Sequence, residues 1–175
     1  QNLLWGQANQ KSGREETADW KDIYHLIILP IYKESYEIVC ESVQSLVRAN
    51  YPKEKMIVVL AAEASAPESV IIAERIKKEF GADFSHVLAT VHPQGLASEI
   101  PGKGSNEAWA GKEVKERIID TIKIPYERIL VSVFDSDTQV FPEYFGFLTH
   151  QFLTASHPHY SSYQPIPLFT NNIFS

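Results

Sequence analysis

The chain alternates short, almost wholly apolar runs with longer stretches in which apolar residues recur every three or four positions. The apolar runs lie at 23–31, 56–62, 86–91 and 129–134. They are too short to be membrane-spanning helices, and their continuous apolar character is typical of strands that are buried on both faces. The stretches with the period of an amphipathic helix lie at 35–50, 67–80 and 106–122.

Strands that alternate with helices of this length are typical of a mostly parallel sheet with right-handed crossovers. The sequence therefore predicts a doubly wound α/β core with helices on both faces of the sheet. In such sheets, ligands bind beyond the carboxyl ends of the strands. We expect four loops to converge at that rim, at 32–34, 61–67, 92–105 and 135–138.

Several residues are predicted to mark the ends or the buried faces of these elements. Pro30 is expected to close the first strand, Pro67 to begin the second helix, and Gly81 to cap that helix in a left-handed conformation. The third helix is expected to turn four apolar side chains inward, namely Trp109, Val114, Ile118 and Ile122.

Composition excludes several classes of function. The chain has 175 residues, and 44% hydrophobic content is enough for one packed domain. Its formal charge of −6, with no long run of Lys or Arg, argues against nucleic acid as a partner. The single cysteine, Cys40, excludes an internal disulfide and Cys-rich zinc sites, and we expect it in the core. No stretch of 18 apolar residues is present, so the chain is predicted to be soluble as given.

The sequence is expected to contain one core flanked by two different segments. Residues 1–21 form a polar lead-in, residues 22–154 the α/β core, and residues 155–175 the start of a further segment that is cut short. The chain begins at Gln1 and breaks off at Ser175 without a terminal helix or charged tail, so we expect it to be a piece of a longer protein.

Two carboxylates, Asp135 and Asp137, follow the fourth predicted strand directly. A chain that turns off the end of a sheet can bring both into one small volume, where a cation would relieve their mutual repulsion. Two short oxygen ligands suit a hard divalent ion, Mg²⁺ or Mn²⁺, with open positions for phosphate oxygens. The alternative is a solvated turn without a ligand.

Other common sites find little support. No Gly-x-Gly-x-x-Gly follows the first strand, which disfavours a dinucleotide cofactor. The six histidines show no metal-binding spacing, and His92 is interpreted as a solvated loop residue.

Three short motifs resemble those of family 2 glycosyltransferases, the inverting enzymes of the GT-A fold. Leu29-Pro30-Ile31-Tyr32-Lys33-Glu34 resembles the first-strand motif Pro-x-Tyr-Asn-Glu, with Lys33 in place of Asn. Gly102-Lys103-Gly104-Ser105-Asn106 resembles the Gly-Lys-x-x-x-Asn segment, and Phe134-Asp135-Ser136-Asp137 resembles the Asp-x-Asp strand end. The resemblance covers the donor-binding half of such an enzyme, residues 23–150.

The resemblance implies transfer of a sugar from a nucleoside diphosphate sugar, with uridine as the expected base, to a saccharide or lipid-linked acceptor hydroxyl with inversion. Asp135 and Asp137 would hold Mg²⁺ or Mn²⁺, which takes up charge on the leaving phosphate as a Lewis acid. The residues implied in donor binding are Pro30, Tyr32, Glu34, Glu63, Lys103, Asn106, Asp135 and Ser136. Tyr32 and Glu34 would hold base and ribose, although Tyr32 can equally be a packing residue at a strand end. Lys103 would lie against the phosphates or the nucleoside.

Two departures from the family pattern are visible. Relatives commonly end the second strand in Asp-Asp, where one Asp binds uracil, whereas this chain has Ala61 and Ala62; Glu63 can supply the carboxylate if the loop is shifted. No Asp or Glu occurs between Tyr144 and Ser175, so we expect the general base beyond Ser175. Relatives with the Ile-Pro-Gly-Lys-Gly form of the third loop, which this chain has at 100–104, often carry membrane spans. The resemblance therefore implies the cytoplasmic face of a membrane for the full-length protein.

Two other classes stay open. A metal-dependent nucleotidyltransferase would use a similar sheet and carboxylates, but it prefers a Gly- and Arg/Lys-rich loop after the first strand. A binding module that has lost its activity is the other class, and Ala61-Ala62 is its best support.

Overall fold

A computed structural model describes residues 19–96 and 102–165. Four strands and four principal helices follow one another, and they are β1 (Tyr24–Ile31), α1 (Tyr36–Arg48), β2 (Met56–Glu63), α2 (Pro67–Phe80), β3 (His86–His92), α3 (Lys103–Val114), β4 (Ile129–Val133) and α4 (Tyr144–Thr154). The lead-in up to residue 18, residues 97–101 of the third loop, and residues 166–175 of the last segment lie outside the described residues.

The four strands form one parallel sheet in the order β3-β2-β1-β4. β1 lies in the centre, where Ile28 is paired with Val59 of β2 and with Val133 of β4. Because all strands are parallel, their carboxyl ends meet at one rim. The predicted α/β sheet is confirmed, and no strand end differs from its predicted position by more than one residue.

Helices cover both faces of the sheet. On one face, alternate residues of β1 and β2 pack with the apolar sides of α1 and α2 and with Phe145 of α4. On the other face, Leu26, Ile57 and their neighbours pack with α3 and the turns that follow it. Cys40 lies in the first of these clusters, as predicted, and is 8% exposed. Within the described residues, no helix is long and apolar enough to cross a membrane.

The third helix differs from its predicted form at both ends. It begins at Lys103, three residues before the predicted start, and it continues beyond Val114 as a π-helical turn at Lys115–Ile119 and a short helix at Asp120–Ile122. Val114 and Ile118 are buried as expected, and Trp109 is half-buried. Ile122 was predicted to point inward but is 45% exposed, because the π-turn changes the rotation per residue and shifts the face that follows it.

Two predictions about end residues are wrong. Gly81 has φ −59° and ψ −27°, which is right-handed, so it is no left-handed cap. A Cβ there would lie 2.7 Å from the Lys77 carbonyl oxygen, which favours glycine for steric reasons. Pro30 does not close β1, which continues to Ile31. The Ile28 carbonyl oxygen accepts a hydrogen bond from the backbone N–H of Phe134, so this side of β1 faces β4. The nitrogen of Pro30 points to the same side, but beyond the last residue of β4. The missing N–H of Pro30 therefore costs the sheet no hydrogen bond.

Candidate functional site

A cavity of about 630 Å³ opens at the rim where the carboxyl ends of β1, β2 and β4 meet the start of α3. Its walls come from four separate stretches of chain. The lining residues are Pro30, Ile31, Tyr32, Glu34, Glu63, Ser65, Gly102, Lys103, Asn106, Asp135, Ser136 and Asp137. All eight residues implied in donor binding by the sequence, and both implied metal ligands, therefore face one volume.

The Glu34 carboxylate shapes the loop that follows β1. Its Oε2 accepts hydrogen bonds from the backbone N–H groups of Tyr32, at 2.8 Å, and Lys33, at 3.1 Å. Partial burial by itself raises the pKa of Glu34, but these bonds and one from the Ser136 hydroxyl more than offset it, so the pKa lies below its ordinary value. Glu34 is thus an anion that links the β1 loop to the Asp135–Asp137 turn.

The Asp135–Asp137 turn is anchored from below by helix α1. The Ser42 hydroxyl, buried at 1% exposure, lies 2.7 Å from the carbonyl oxygens of both Ser136 and Thr138. Ser45, one turn further along, accepts from the backbone N–H of Val140 at 3.1 Å. The backbone of the turn is therefore fixed, while the Asp135 side chain stays 70% exposed above it.

Sequence reasoning missed Ser42 and Ser45. The available signal was two hydroxyl residues, three positions apart, on the apolar side of a predicted amphipathic helix. Buried hydroxyls there need partners, and the turn after β4 supplies them.

Lys103 is the first residue of α3 and reaches across the cavity. Its ammonium donates a hydrogen bond to Asp135 Oδ1 and lies 3.9 Å from Glu107 Oε1. The bond to Asp135, together with the nearby charges of Asp135, Glu107 and Glu34, outweighs partial burial and raises the pKa of Lys103. Gly102 before it has φ 155°, a conformation that residues with a side chain rarely adopt.

Asn106 lies beneath the cavity, one turn into α3, and is 1% exposed. Its Nδ2 donates to the Ala61 carbonyl oxygen at 2.8 Å, which joins α3 to the end of β2. Its Oδ1 is buried and has no hydrogen-bond partner among the residues that the structure describes. This hydrogen bond therefore holds the first turn of α3 against the carboxyl end of β2.

Glu63 is the last residue of β2, so its position is set by the sheet and not by a displaced loop. Its Oε2 accepts a hydrogen bond from the Ser65 hydroxyl at 3.0 Å, and its backbone N–H donates to Ser69. Ala61 and Ala62 are both 0% exposed. Of the residues at the end of β2, only Glu63 offers a carboxylate to the cavity.

The ring of Tyr32 gives the cavity wall an aromatic surface. Tyr32 is 44% exposed, and the Lys33 ammonium lies 5.0 Å from the centre of its ring. The half-exposed ring of Tyr32 offers a flat surface to a planar ligand.

His92 was interpreted as a solvated loop residue, and this is wrong. It ends β3, is 8% exposed, and packs edge-on against the Trp109 ring of α3 with ring centres 5.9 Å apart. The strand runs further than its apolar pattern indicates, because Glu63 and His92 still pair in the ladder.

The fit of a metal ion can be judged from the donor set. In residues 19–96 and 102–165, no three His, Cys, Asp or Glu side chains are grouped so that they could hold an ion by themselves. Asp135 and Asp137 provide two carboxylates at an open cavity, which suits a hard cation whose other ligands are phosphate and water oxygens. The residues present therefore fit an ion that arrives with an anionic ligand.

Comparisons with known proteins show a likeness to solved structures. No protein-family profile matches the chain, and no curated protein matches it. Among solved structures, the chain is similar to the mannosyltransferase PcManGT from Pyrobaculum calidifontis, solved in complex with GDP-Man and Mn²⁺. The TM-score is 0.44 and the sequence identity 17%, over 85% of this chain and 39% of that one. The chain thus spans well under half the length of that protein.

Proposed function

We propose that the chain is the donor-binding part of a family 2 glycosyltransferase of the GT-A type, which transfers a sugar from a nucleoside diphosphate sugar to an acceptor hydroxyl with inversion. One observation carries the proposal: Asp135, Asp137 and Lys103 share a cavity with Tyr32 and Glu63 at the carboxyl rim of a parallel sheet. The cavity thus offers cation ligands, a phosphate-binding cation, an aromatic surface and a carboxylate, which are the groups that a nucleoside diphosphate needs.

The charged side chains of the cavity are suited to a reaction in which a diphosphate is the leaving group. Breaking the anomeric bond moves negative charge onto the leaving diphosphate, and a divalent ion would stabilise that charge when bound. Asp135 and Asp137 would hold it, as Mn²⁺ or Mg²⁺. Lys103 orients the same phosphates through its ammonium, and Ser42 holds the turn so that both carboxylates keep their position. The general base is proposed to lie beyond Ser175, in an acceptor-binding part at the cytoplasmic face of a membrane.

A non-catalytic nucleotide-sugar-binding module is the second candidate. It is favoured by Ala61 and Ala62, because these two fully buried alanines stand where the resemblance leads us to expect base-binding carboxylates at the end of β2. A nucleotidyltransferase finds less support, because the loop after β1 is shaped by Glu34 and offers no glycine-rich cradle for a triphosphate.

The proposal is tested by calorimetric titration of the chain with UDP and with GDP, each with and without Mn²⁺. We expect UDP to bind in the presence of Mn²⁺ and to lose about 100-fold or more of its affinity without it, since the ion is bound jointly by the two carboxylates of the protein and by the phosphates of the nucleotide. Equal affinity with and without metal would refute the proposed site.

Glu63 provides a test of the base. A carboxylate that accepts the ring N–H of uracil should contribute about 1–3 kcal/mol, so Glu63→Gln should weaken UDP binding about 5- to 150-fold while GDP binding changes little. Glu68→Gln is the control, because Glu68 is exposed on the first turn of α2 and outside the cavity. If the parent binds UDP and GDP equally, or if Glu63→Gln leaves UDP affinity unchanged, the base is recognised elsewhere.

A further inference from the structure

The ammonium of Lys103 lies against the very carboxylate that is proposed to hold the cation. Its Nζ donates to Asp135 Oδ1, with Glu107 3.9 Å away on the next turn of α3. The Lys103 and Asp135 side chains are 53% and 70% exposed. An ion pair between half-exposed side chains is weak, so this contact can be exchanged for another without disturbing the fold.

A free divalent ion meets two obstacles at this turn. It must displace the ammonium from Asp135, and it must then remain within a few ångströms of a like charge. Even with the high dielectric constant of water, a unit charge and a double charge about 5 Å apart repel enough to lower affinity about 10-fold. The described residues offer no third acidic, histidine or cysteine ligand to offset this loss.

A metal–nucleotide complex meets neither obstacle. Its phosphates offer the Lys103 ammonium a stronger, charge-assisted partner, and that exchange releases Asp135 for the cation. The ammonium then lies beside a cluster whose phosphate charges outweigh the ion. The flexible stem of Lys103 can make the move, because its side chain is 53% exposed and is held only by a surface ion pair.

We propose that Lys103 is a specificity-determining residue that makes the Asp135–Asp137 turn select a metal–nucleotide complex over the free metal ion. The inference rests on the proposed function, and it assigns Lys103 two effects of opposite sign. It disfavours the ion when the nucleotide is absent, and it favours the complex when the nucleotide is present.

The test compares Lys103→Gln with Lys112→Gln in the full 175-residue chain at constant ionic strength. Lys112 is exposed on the same helix, with its ammonium 5.8 Å from the Trp109 ring, and lies outside the cavity. Both variants lose one positive charge, so long-range electrostatics are matched. Free Mn²⁺ is followed by its electron paramagnetic resonance signal without nucleotide, and UDP binding by calorimetry with saturating Mn²⁺.

Lys103→Gln is expected to bind free Mn²⁺ about 3- to 10-fold more tightly than the parent and to bind UDP with Mn²⁺ about 10- to 100-fold more weakly. Lys112→Gln should change both affinities less than about 2-fold. Adding Asp135→Asn to Lys103→Gln should abolish the gain in Mn²⁺ affinity.

Unchanged or weaker Mn²⁺ binding by Lys103→Gln overturns the inference, as does an equal gain in Lys112→Gln. The proposed function survives either result if the parent still binds UDP only with Mn²⁺. A parent chain that binds Mn²⁺ but neither UDP nor GDP instead refutes the proposed function, and the gain in Lys103→Gln would then reflect only the released carboxylate.

Discussion

Asp137→Ala is expected to abolish the metal-dependent part of nucleoside diphosphate binding, with a loss of at least about 100-fold in affinity, or about 2.7 kcal/mol. The Asp135–Asp137 turn offers two acidic ligands, and the described residues contain no cluster of three that could compensate. The side chain is exposed, so the free energy of unfolding should change by about 0.5 kcal/mol or less. Calorimetry with and without Mn²⁺ measures the first quantity, and urea unfolding the second.

Asp83→Ala is the matched control for this experiment. Asp83 is also exposed, but it precedes β3 and so lies at the amino-terminal rim of the sheet, opposite the cavity. It should leave nucleotide affinity unchanged with and without Mn²⁺. If Asp137→Ala retains the parent's response to Mn²⁺, the carboxylate is no metal ligand and the turn is solvated.

The second large effect concerns His25 and the stability of the fold in acid. His25 is 0% exposed in the middle of the core, and burial lowers its pKa from 6.5 to about 3. Its Nε2 pairs with the Thr149 hydroxyl at 2.8 Å, its ring packs edge-on against Tyr51 and Phe145, and its Nδ1 has no partner among the described residues. A proton would therefore place an unpaired charge in the core.

The direction in which pH changes the stability follows from the pKa of His25 in the unfolded chain, 6.5, and in the folded chain, about 3. Below pH 6.5 the unfolded chain binds a proton that the folded chain refuses, so stability is fully present above 6.5 and falls as the pH drops toward 3. The loss is about 1.4 kcal/mol per pH unit, or about 3 kcal/mol at pH 4.5. In His25→Gln the neutral amide removes this titration, so its free energy of unfolding should fall less between pH 7 and 4.5 than that of the parent.

Urea unfolding at several pH values measures this difference. His25→Gln should be less stable than the parent at pH 7, because the ring contacts are lost, and the gap between the two should narrow steadily in acid. The exposed His157 provides the control, since His157→Gln should follow the parent curve. Parallel curves for the parent and His25→Gln would show that His25 does not resist protonation.

The sheet could be predicted because its signals are local. A strand buried on both faces must be apolar along its whole length, and a helix that packs on a sheet must repeat every three or four residues, so each element can be recognised from its own residues. The positions of the four loops at one rim then follow from parallel pairing. Helix α4 was not predicted, because its residues are apolar on most sides and show little amphipathic period.

The details of the candidate site depend on contacts between distant parts of the chain. Ser42 and Ser136 are separated by 94 positions, and Lys103 and Asp135 by 32. Nothing in the local sequence around Ser42 indicates that its hydroxyl will hold the turn after β4. Likewise, Glu34 was expected to face a ribose, whereas its carboxylate also accepts hydrogen bonds from its own loop.

The sequence by itself determined the four strands, the helices that connect them, and that Asp135, Asp137 and Lys103 would lie at the same end of the sheet. The tertiary structure alone decided that Lys103 pairs with Asp135, that helix α1 anchors the acidic turn through Ser42, and that His25 is enclosed by Tyr51, Thr149 and Phe145. The physical reason is that period and composition set local structure, whereas the partner of a buried or charged side chain is chosen by packing across the whole domain.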